Sequence, residues 1–213
     1  MKTEDLINAL AAEAAPAPAA SVETRVGLAL PLAVLVSVVL YFLFLGPRPD
    51  LAERIIDPVV AAKTLLPLGL AMLALVLALR SARPAVPLGL PARVVWLVPA
   101  IALGLFVWAF VTTAPDSRFM LWQGKSIPVC LPMIVILSLP LTAGMLAAMR
   151  RGASVRPGFS GALAGLAAAG LATTIYSTFC NEDSPLFYAT WYSLGILLAT
   201  LIGALAGSRL LRW

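Results

Sequence analysis

The sequence predicts an all-α integral membrane bundle of six transmembrane helices, and three observations lead to this prediction. Of 213 residues, 61% are hydrophobic and only 12% are charged, about half the charged fraction of a soluble globular domain. The apolar residues form six long runs, and a helix needs about 20 such residues to cross a bilayer. Because the runs are continuous rather than alternating, they favour helices over a transmembrane β-barrel.

The predicted spans follow one another along the chain, separated by short turns. They cover residues 26–45, 59–79, 94–113, 127–149, 159–178 and 186–207. The first 25 residues are polar and precede the first apolar run, which argues against a cleavable signal peptide. We predict two parts: an N-terminal partner-binding helix with its linker at 1–25, and a six-helix transmembrane domain at 26–213.

The distribution of positive charge predicts the orientation of these spans. Lys and Arg in short loops stay on the cytoplasmic side of a membrane. The N-terminal segment, the second and fourth turns and the C-terminus contain Lys2, Arg25, Arg80, Arg83, Arg93, Arg150, Arg151, Arg156, Arg209 and Arg212. The other side contains Arg48, Arg54, Arg118 and Lys125. Both termini are therefore predicted to be cytoplasmic.

Aromatic residues agree with this topology, because many of them gather at or near the predicted outer ends. Such positions are typical of side chains that anchor a helix at the membrane interface, and we expect most of them to serve as anchors. They are Tyr41, Phe42, Phe44, Trp108, Phe110, Trp122, Tyr176, Phe179, Phe187, Tyr188 and Trp191.

Residues 1–15 predict a short amphipathic helix, with Thr3 as its N-cap and acidic residues in its first turn. One face consists of Leu6, Ile7, Leu10 and Ala14. The Ala-Pro-Ala-Pro stretch at 15–18 ends the helix. An isolated helix of about 15 residues is marginal in water. It is therefore expected either to bind a partner through Leu6, Ile7 and Leu10 or to lie on the membrane surface.

Several function classes receive no support from the residues present. The chain has no histidine, which removes the commonest general base and metal ligand. It has no CxxC pair, phosphate-binding glycine loop or zinc-ligand spacing. We therefore expect no catalytic activity and no cofactor. The net charge of +5 is scattered between apolar runs, so direct nucleic-acid binding is not expected either.

Lys63 is the one ionisable residue clearly inside a predicted span. A charge within the membrane is a candidate functional site. Because Lys63 has no obvious buried acidic partner in the sequence, we expect its side chain to extend outward toward the turn that contains Asp50, Glu53 and Asp57.

Small residues and prolines indicate how the helices pack. Gly161 with Gly165, and Gly203 with Gly207, are pairs that allow close helix approach, within one chain or between copies. The sequence therefore does not distinguish packing within one chain from the formation of a homo-oligomer. Pro132 and Pro140 are expected to kink the fourth span.

The two cysteines lie at the same predicted depth. Cys130 is about one turn inside the outer end of the fourth span, and Cys180 is at the outer end of the fifth. These spans are predicted antiparallel neighbours, so the thiols could form a disulfide or could be two independent small apolar residues. In this position a reagent would not need to cross the bilayer to reach them. The sequence does not identify a metal site. A thiophilic ion bound by the two thiols would have Met133 as a further soft ligand.

A resemblance to a known family extends over essentially the whole chain. It is carried chiefly by the sequence FCNEDSPLF at 179–187, the Trp191-Tyr192 pair and the ending RLLRW at 209–213. The start MKTEDLI and the residues Trp122, Gly124, Cys130, Leu137 and Ser138 fit the same pattern. The chain resembles the NrsF family of six-helix bacterial anti-sigma factors.

This resemblance implies a multi-pass protein of the bacterial inner membrane that inhibits a cytoplasmic extracytoplasmic-function (ECF) sigma factor. It implies that residues 1–15 bind the sigma factor and that a stress response depends on Cys130 and Cys180. Phe179 stands where relatives often have histidine, which argues against direct metal sensing through that position.

The leading hypothesis is a non-enzymatic regulator that releases its partner upon oxidative or thiophilic-metal stress. A membrane thiol oxidoreductase is an alternative, but it normally needs a second exchange pair or a quinone site. A small transporter is a third hypothesis, weakened by the lack of paired intramembrane charges and of an inverted repeat.

Overall fold

The computed structural model describes residues 2–13, 21–84 and 86–212, and these ranges form helices with no strand. The helices are α1 (Thr3–Glu13), α2 (Val22–Phe44), α3 (Leu51–Arg54), α4 (Pro58–Ser81), α5 (Pro91–Val94), α6 (Leu97–Thr112), α7 (Pro115–Gln123), α8 (Ile127–Met149), α9 (Pro157–Ser177) and α10 (Pro185–Leu210). The predicted contribution of Ala14 and the predicted break at 15–18 lie outside the described residues.

Within the described residues, six helical stretches are long and apolar enough to cross a membrane, which confirms the predicted fold class. They are Val22–Phe44, Pro58–Ser81, Pro91–Thr112, Pro115–Met149, Pro157–Ser177 and Pro185–Leu210. The third stretch joins α5 to α6, and the fourth joins the short α7 to α8.

Capping residues set where several helices begin. The side chain of Asp57 accepts a hydrogen bond from the Val59 amide at 2.8 Å, and Pro58 starts α4. Ser184 and Pro185 begin α10 in the same way. These residues satisfy free amides and preset the first helical φ. At α1 the helix starts at Thr3, so the N-cap position falls on Lys2 and the predicted Thr3 cap is wrong.

Helix α9 lies at the centre of the bundle and packs against α4, α8 and α10. Its Gly161 and Gly165 lie directly against Gly203 and Gly207 of α10. A methyl group at Gly203 would approach the Cα of Gly165 to 2.6 Å. Within this chain, the predicted small-residue pairs therefore pack backbone against backbone.

Polar side chains join the helices inside the apolar bundle. Ser37 of α2 donates a hydrogen bond to the Leu137 carbonyl of α8 at 2.9 Å. Thr64 of α4 and Ser177 of α9 share a hydrogen bond of 2.9 Å between their hydroxyls. Such bonds fix neighbouring helices in register, because a free hydroxyl in an apolar medium is costly.

Helix α6 is the most loosely packed spanning element. Within it, Ala109 is the sole buried residue, and its principal contacts are with α10 and α4. A cavity of about 610 Å³ separates α6 from α4, α9 and α10. The bundle is therefore tight around α9 and open beside α6.

The bundle has two distinct ends. At the first, which we call the Cys180 end, the Arg48 amide donates to the Thr178 carbonyl and the Lys125 amide donates to Glu182. At the other, the arginine-rich end, the Ala153 amide donates to the Ala82 carbonyl. The alternation of turns thus separates the charges as the sequence predicts.

Burial divides the aromatic residues at the Cys180 end that are expected to be interface anchors. Tyr41, Tyr176, Phe187 and Tyr188 are buried in the core around the cysteines. Phe42, Phe44, Trp108 and Phe110 are exposed on the bundle surface. Hydropathy gives the depth of an aromatic residue but not the helix face on which it lies.

Candidate functional site

The two cysteines lie in one buried cluster at the Cys180 end. Cys130 is in the first turn of α8, where its amide donates to the Ser126 carbonyl at 2.7 Å. Cys180 directly follows α9, and its amide donates to the Tyr176 carbonyl at 3.3 Å. Both are free thiols within the same core. The structure thus brings together the pair that the sequence singles out.

Neither thiol is accessible to water. The exposed fraction is 0% for Cys130 and 1% for Cys180. The prediction that a reagent need not cross the bilayer to reach the thiols stays a prediction, and burial adds that the reagent has no direct contact with them from water in this arrangement. A reagent must either come from within the bilayer or wait for a movement that opens the cluster.

Two tyrosines lie beside the thiols. The rings of Tyr176 and Tyr192 meet edge to face, with centroids 5.8 Å apart. Tyr176 interacts electrostatically with both thiols, and Tyr192 interacts with Cys180 and Cys130. Among the described residues, neither tyrosine hydroxyl has a hydrogen-bond partner in good geometry. We call Cys130, Cys180, Tyr176 and Tyr192 the thiol site.

An ion-pair cluster of Arg48, Asp50, Lys63 and Asp183 holds the backbone at Cys180. The ammonium group of Lys63 donates to the Cys180 carbonyl at 2.6 Å, to the Glu182 carbonyl at 3.2 Å and to Asp183 Oδ1 at 2.9 Å. These three acceptors match the three donors of an ammonium group.

This geometry corrects the expectation for Lys63. Its side chain is buried, with an exposed fraction of 1%, and its acidic partner is Asp183 rather than the turn that contains Asp50, Glu53 and Asp57. The side chain does extend toward the Cys180 end, but it ends inside the protein. The ion pair with Asp183 and the two carbonyl acceptors offset the cost of burying this side chain.

Arg48 completes the cluster from the turn after α2. It donates to both carboxylate oxygens of Asp50, at 2.7 and 2.8 Å, and to Asp183 at 2.8 Å. The hydrogen bond from Arg48 lowers the pKa of Asp50 to about 2. Burial raises the pKa of Asp183, but the hydrogen bonds from Arg48 and Lys63 outweigh it and leave that pKa below its ordinary value.

Glu182 connects the segments that carry the two cysteines. Its carboxylate accepts hydrogen bonds from the Lys125 amide at 2.8 Å and from the Ser126 hydroxyl at 3.4 Å. Lys125 and Ser126 immediately precede α8, which carries Cys130. A change at either thiol is therefore mechanically coupled to the segment of the other.

The described residues contain no group of three Cys, Asp or Glu side chains that could hold a metal ion. Met133 packs against the same core as the thiols. The soft ligands in the cluster are thus two thiols and one thioether.

A second candidate site is helix α1. Its apolar face is exposed, with exposed fractions of 43% for Leu6, 58% for Ile7 and 57% for Leu10. The carboxylate of Asp5 accepts a hydrogen bond from the Lys2 amide at 3.2 Å and so closes the first turn. The structure therefore presents the three predicted partner-binding residues on an unburied helix face.

Comparison with known proteins identifies the family. The model of the family described as "Negative regulator of sigma F" matches residues 10–213. The chain belongs to the NrsF family. Both cysteines and the ion-pair cluster lie within the matched region of this family, whereas Leu6 and Ile7 precede it.

Two relatives in the NrsF family cover the whole chain. An anti-sigma-F factor NrsF of Caulobacter vibrioides is 37% identical over 219 residues, with complete coverage of both chains. A probable anti-sigma-F factor NrsF of Azospira oryzae is 34% identical over 220 residues, again with complete coverage of both. No solved structure matches the chain.

Sequence reasoning missed the residues that surround the thiols in this NrsF family member. The sequence places Arg48 only among the charges of the outer side and gives Asp183 no pairing partner. One signal was available: a lysine that stays in an apolar span requires a carboxylate or carbonyl partner, and the acidic pair at 182 and 183 directly follows Cys180.

Proposed function

We propose that this protein is a membrane-bound anti-sigma factor that holds an ECF sigma factor at the bacterial inner membrane and releases it under oxidative or thiophilic-metal stress. The observation that carries the proposal is the exposed apolar face of α1, formed by Leu6, Ile7 and Leu10. The names of the two full-length relatives support a sigma factor as the partner.

Helix α1 would bind the sigma factor as an amphipathic helix lying in a groove. This mode uses apolar anchors at i, i+3 and i+4 spacing, and Ile7 and Leu10 are spaced in this way. Both termini would be cytoplasmic, because the arginine-rich end carries most of the positive charges. Bound there, the sigma factor is kept away from RNA polymerase.

Two aspartates on the apolar face test this binding. In the Leu6→Asp, Leu10→Asp double variant, the partner should be lost from co-purification and sigma-dependent transcription should rise, because docking would bury unpaired carboxylates. Asn8 and Ala9 fall outside this face by helical spacing and are exposed. The Asn8→Asp, Ala9→Asp variant adds the same charge there and should still repress. Wild-type repression by the first variant would place binding elsewhere.

The thiol site would be the sensor. Oxidation of Cys130 and Cys180 to a disulfide removes two electrons and two protons and joins α8 to the end of α9. A stimulus shifts an equilibrium only through its unequal interaction with the two states. The joined pair would therefore favour a different arrangement of α8, whose Pro132 and Pro140 lie inside the helix. A thiophilic metal bound by both thiols would act in the same way.

Cysteine replacement tests the sensor. Cys130→Ser and Cys180→Ser, singly and together, should abolish induction by oxidant and by cadmium and should leave basal repression intact, since α1 is a separate element. Sigma-dependent transcription before and after each stimulus is the measurement. Full induction in the double variant would eliminate the thiols as sensors. Reporter fusions to both ends check the topology, and a periplasmic terminus would contradict the proposal as a whole.

A further inference from the structure

The burial of both thiols raises the question of which oxidant can reach them. Water-soluble oxidants have no direct path to Cys130 or Cys180 in this structure, because both are covered by protein. The cavity between α6 and the rest of the bundle lies next to the thiol site, and Tyr192 belongs to both. A ligand in this cavity would approach the thiols from the membrane.

The cavity is long and apolar over most of its wall. Along α4 it extends from Lys63 to Leu77, which corresponds to about 21 Å of helix. At its far end it is lined by Leu88, Trp96 and Phe159, which lie toward the arginine-rich end. Its volume of about 610 Å³ is in the range of small-molecule sites. This shape suits a single long hydrocarbon chain.

Polar groups gather mainly at the opposite end of the cavity. Lys63, Tyr188, Tyr192 and Ser193 line it toward the Cys180 end, and Thr200 lies farther along α10. The Lys63 ammonium already donates to three acceptors, and the Tyr188 hydroxyl donates to the Val59 carbonyl at 3.2 Å. The hydroxyl of Tyr192 is buried beside the thiols rather than on the cavity wall, whereas Ser193 lines the cavity and is exposed.

This distribution selects the class of ligand. A phospholipid headgroup carries a phosphate that needs a free cation, and Lys63, the one cation that lines the cavity among the described residues, is already engaged. An isoprenoid quinone has a neutral head with carbonyl acceptors and a long apolar tail. Its head can accept a hydrogen bond from the hydroxyl of Ser193, and the apolar length of the cavity holds the part of the tail nearest the head.

We propose that this cavity binds an isoprenoid quinone and that the quinone oxidises the pair Cys130 and Cys180. Both S–H bonds break, one S–S bond forms, and the two electrons and two protons pass to the quinone, which leaves as the quinol with two new O–H bonds. Tyr192 stands between the cavity and the thiols. This inference rests on the proposed sensor function and names the source of its oxidant.

The test uses the full-length protein, reduced and kept without oxygen, in nanodiscs of phosphatidylethanolamine and phosphatidylglycerol. Ubiquinone-10 is added, and bound quinone, quinol absorbance and free thiols by alkylation are measured. We expect saturable binding of one quinone per chain and one quinol for every two thiols lost. Cys130→Ser should still bind quinone but should form no quinol. Absence of binding beyond that of empty nanodiscs would overturn the inference.

Two alanines of α6 give a matched pair of variants. Ala102 lines the cavity, whereas Ala100 is exposed on the same helix and does not line it. Ala102→Trp fills the cavity and should abolish quinone binding, while Ala100→Trp should bind like wild type. Ser193→Ala should weaken binding about 2- to 10-fold, as expected for one hydrogen bond. If Ala102→Trp and Ala100→Trp changed quinone binding equally, the cavity would not be the quinone-binding site.

A separate readout distinguishes failure of this inference from failure of the proposed function. The membrane-permeant oxidant diamide can form the disulfide without quinone. If diamide releases the sigma factor but no quinone binds, the sensor function stands and the quinone site is wrong. If quinone binds but the free thiols do not decrease over hours, the quinone is not the oxidant.

Discussion

The ammonium group of Lys63 lies 2.6 Å from the carbonyl oxygen of Cys180, so a buried charge of α4 holds the backbone of a thiol on the segment that follows α9. The same ammonium bonds Asp183, which in turn bonds Arg48. Helix α4 and the turn after α2 therefore converge on the segment that carries Cys180, the residue that the resemblance assigns to sensing. A disturbance at Cys180 has a direct route to α4 and to the turn after α2.

Removal of Lys63 should loosen this segment. Lys63→Met keeps the length of the side chain but leaves the Cys180 carbonyl without its donor. We expect a loss of about 1–3 kcal/mol in the free energy of unfolding, less than the about 3–5 kcal/mol for a fully buried pair, because Arg48 still neutralises Asp183. Thermal unfolding in detergent measures this loss, and the maleimide labelling rate of Cys180 should rise. Lys125→Met, at an exposed position, is the control and should change neither.

The sequence shows a lysine inside a predicted span, Lys63, and an acidic pair at 182 and 183, but it does not show that they form an ion pair. The spans were predictable because hydropathy is a local property, and Asp57-Pro58 and Ser184-Pro185 mark helix starts locally. The partner of Lys63 lies 120 residues away in sequence, and helix packing alone decides that pairing. The cavity beside α6 was not predictable for the same reason, because its wall comes from several non-adjacent helices.

The ion-pair cluster predicts a pH dependence of stability. Asp50 has a pKa of about 2 in the folded state, and the pKa of Asp183 is also lowered. A carboxyl group whose pKa is lower in the folded state than in the unfolded state, where it is about 3.9, stabilises the fold above that pH. This stabilisation is lost as the pH falls through the folded-state pKa. The thermal midpoint should therefore fall between about pH 4 and pH 2. Asp50→Asn should show a flatter profile in this window. If the thermal midpoint of Asp50→Asn changed with pH in parallel with that of the wild type, Asp50 would not be a source of the pH dependence.

The contact between α9 and α10 predicts a large penalty for one methyl group. In Gly203→Ala the new Cβ would lie 2.6 Å from the Cα of Gly165 and 2.7 Å from the Gly161 carbonyl oxygen. Both are backbone atoms, so we expect overpacking to cost about 1–3 kcal/mol in the free energy of unfolding. Gly69→Ala in α4 meets no atom within 4 Å. It should be neutral or stabilising, because alanine favours helix over glycine. Equal midpoints for the two variants would refute the close packing.

The turn before α8 contains a glycine whose replacement should disturb the thiol site without touching either cysteine. Gly124 has a φ of +56°, and a Cβ there would lie 2.6 Å from the Phe187 ring and 2.9 Å from the carboxylate carbon of Glu182. Gly46 also has a positive φ, +85°, but a Cβ there meets nothing within 4 Å. Both alanine variants carry the backbone cost of a left-handed residue. Only Gly124→Ala must also move Phe187, which packs in the thiol core, and Glu182, which connects the two cysteine segments. In sealed vesicles we expect faster maleimide labelling of Cys130 and Cys180 in Gly124→Ala than in Gly46→Ala, at similar protein levels. Labelling at the same rate in both variants would show that Glu182 does not hold the thiol site closed.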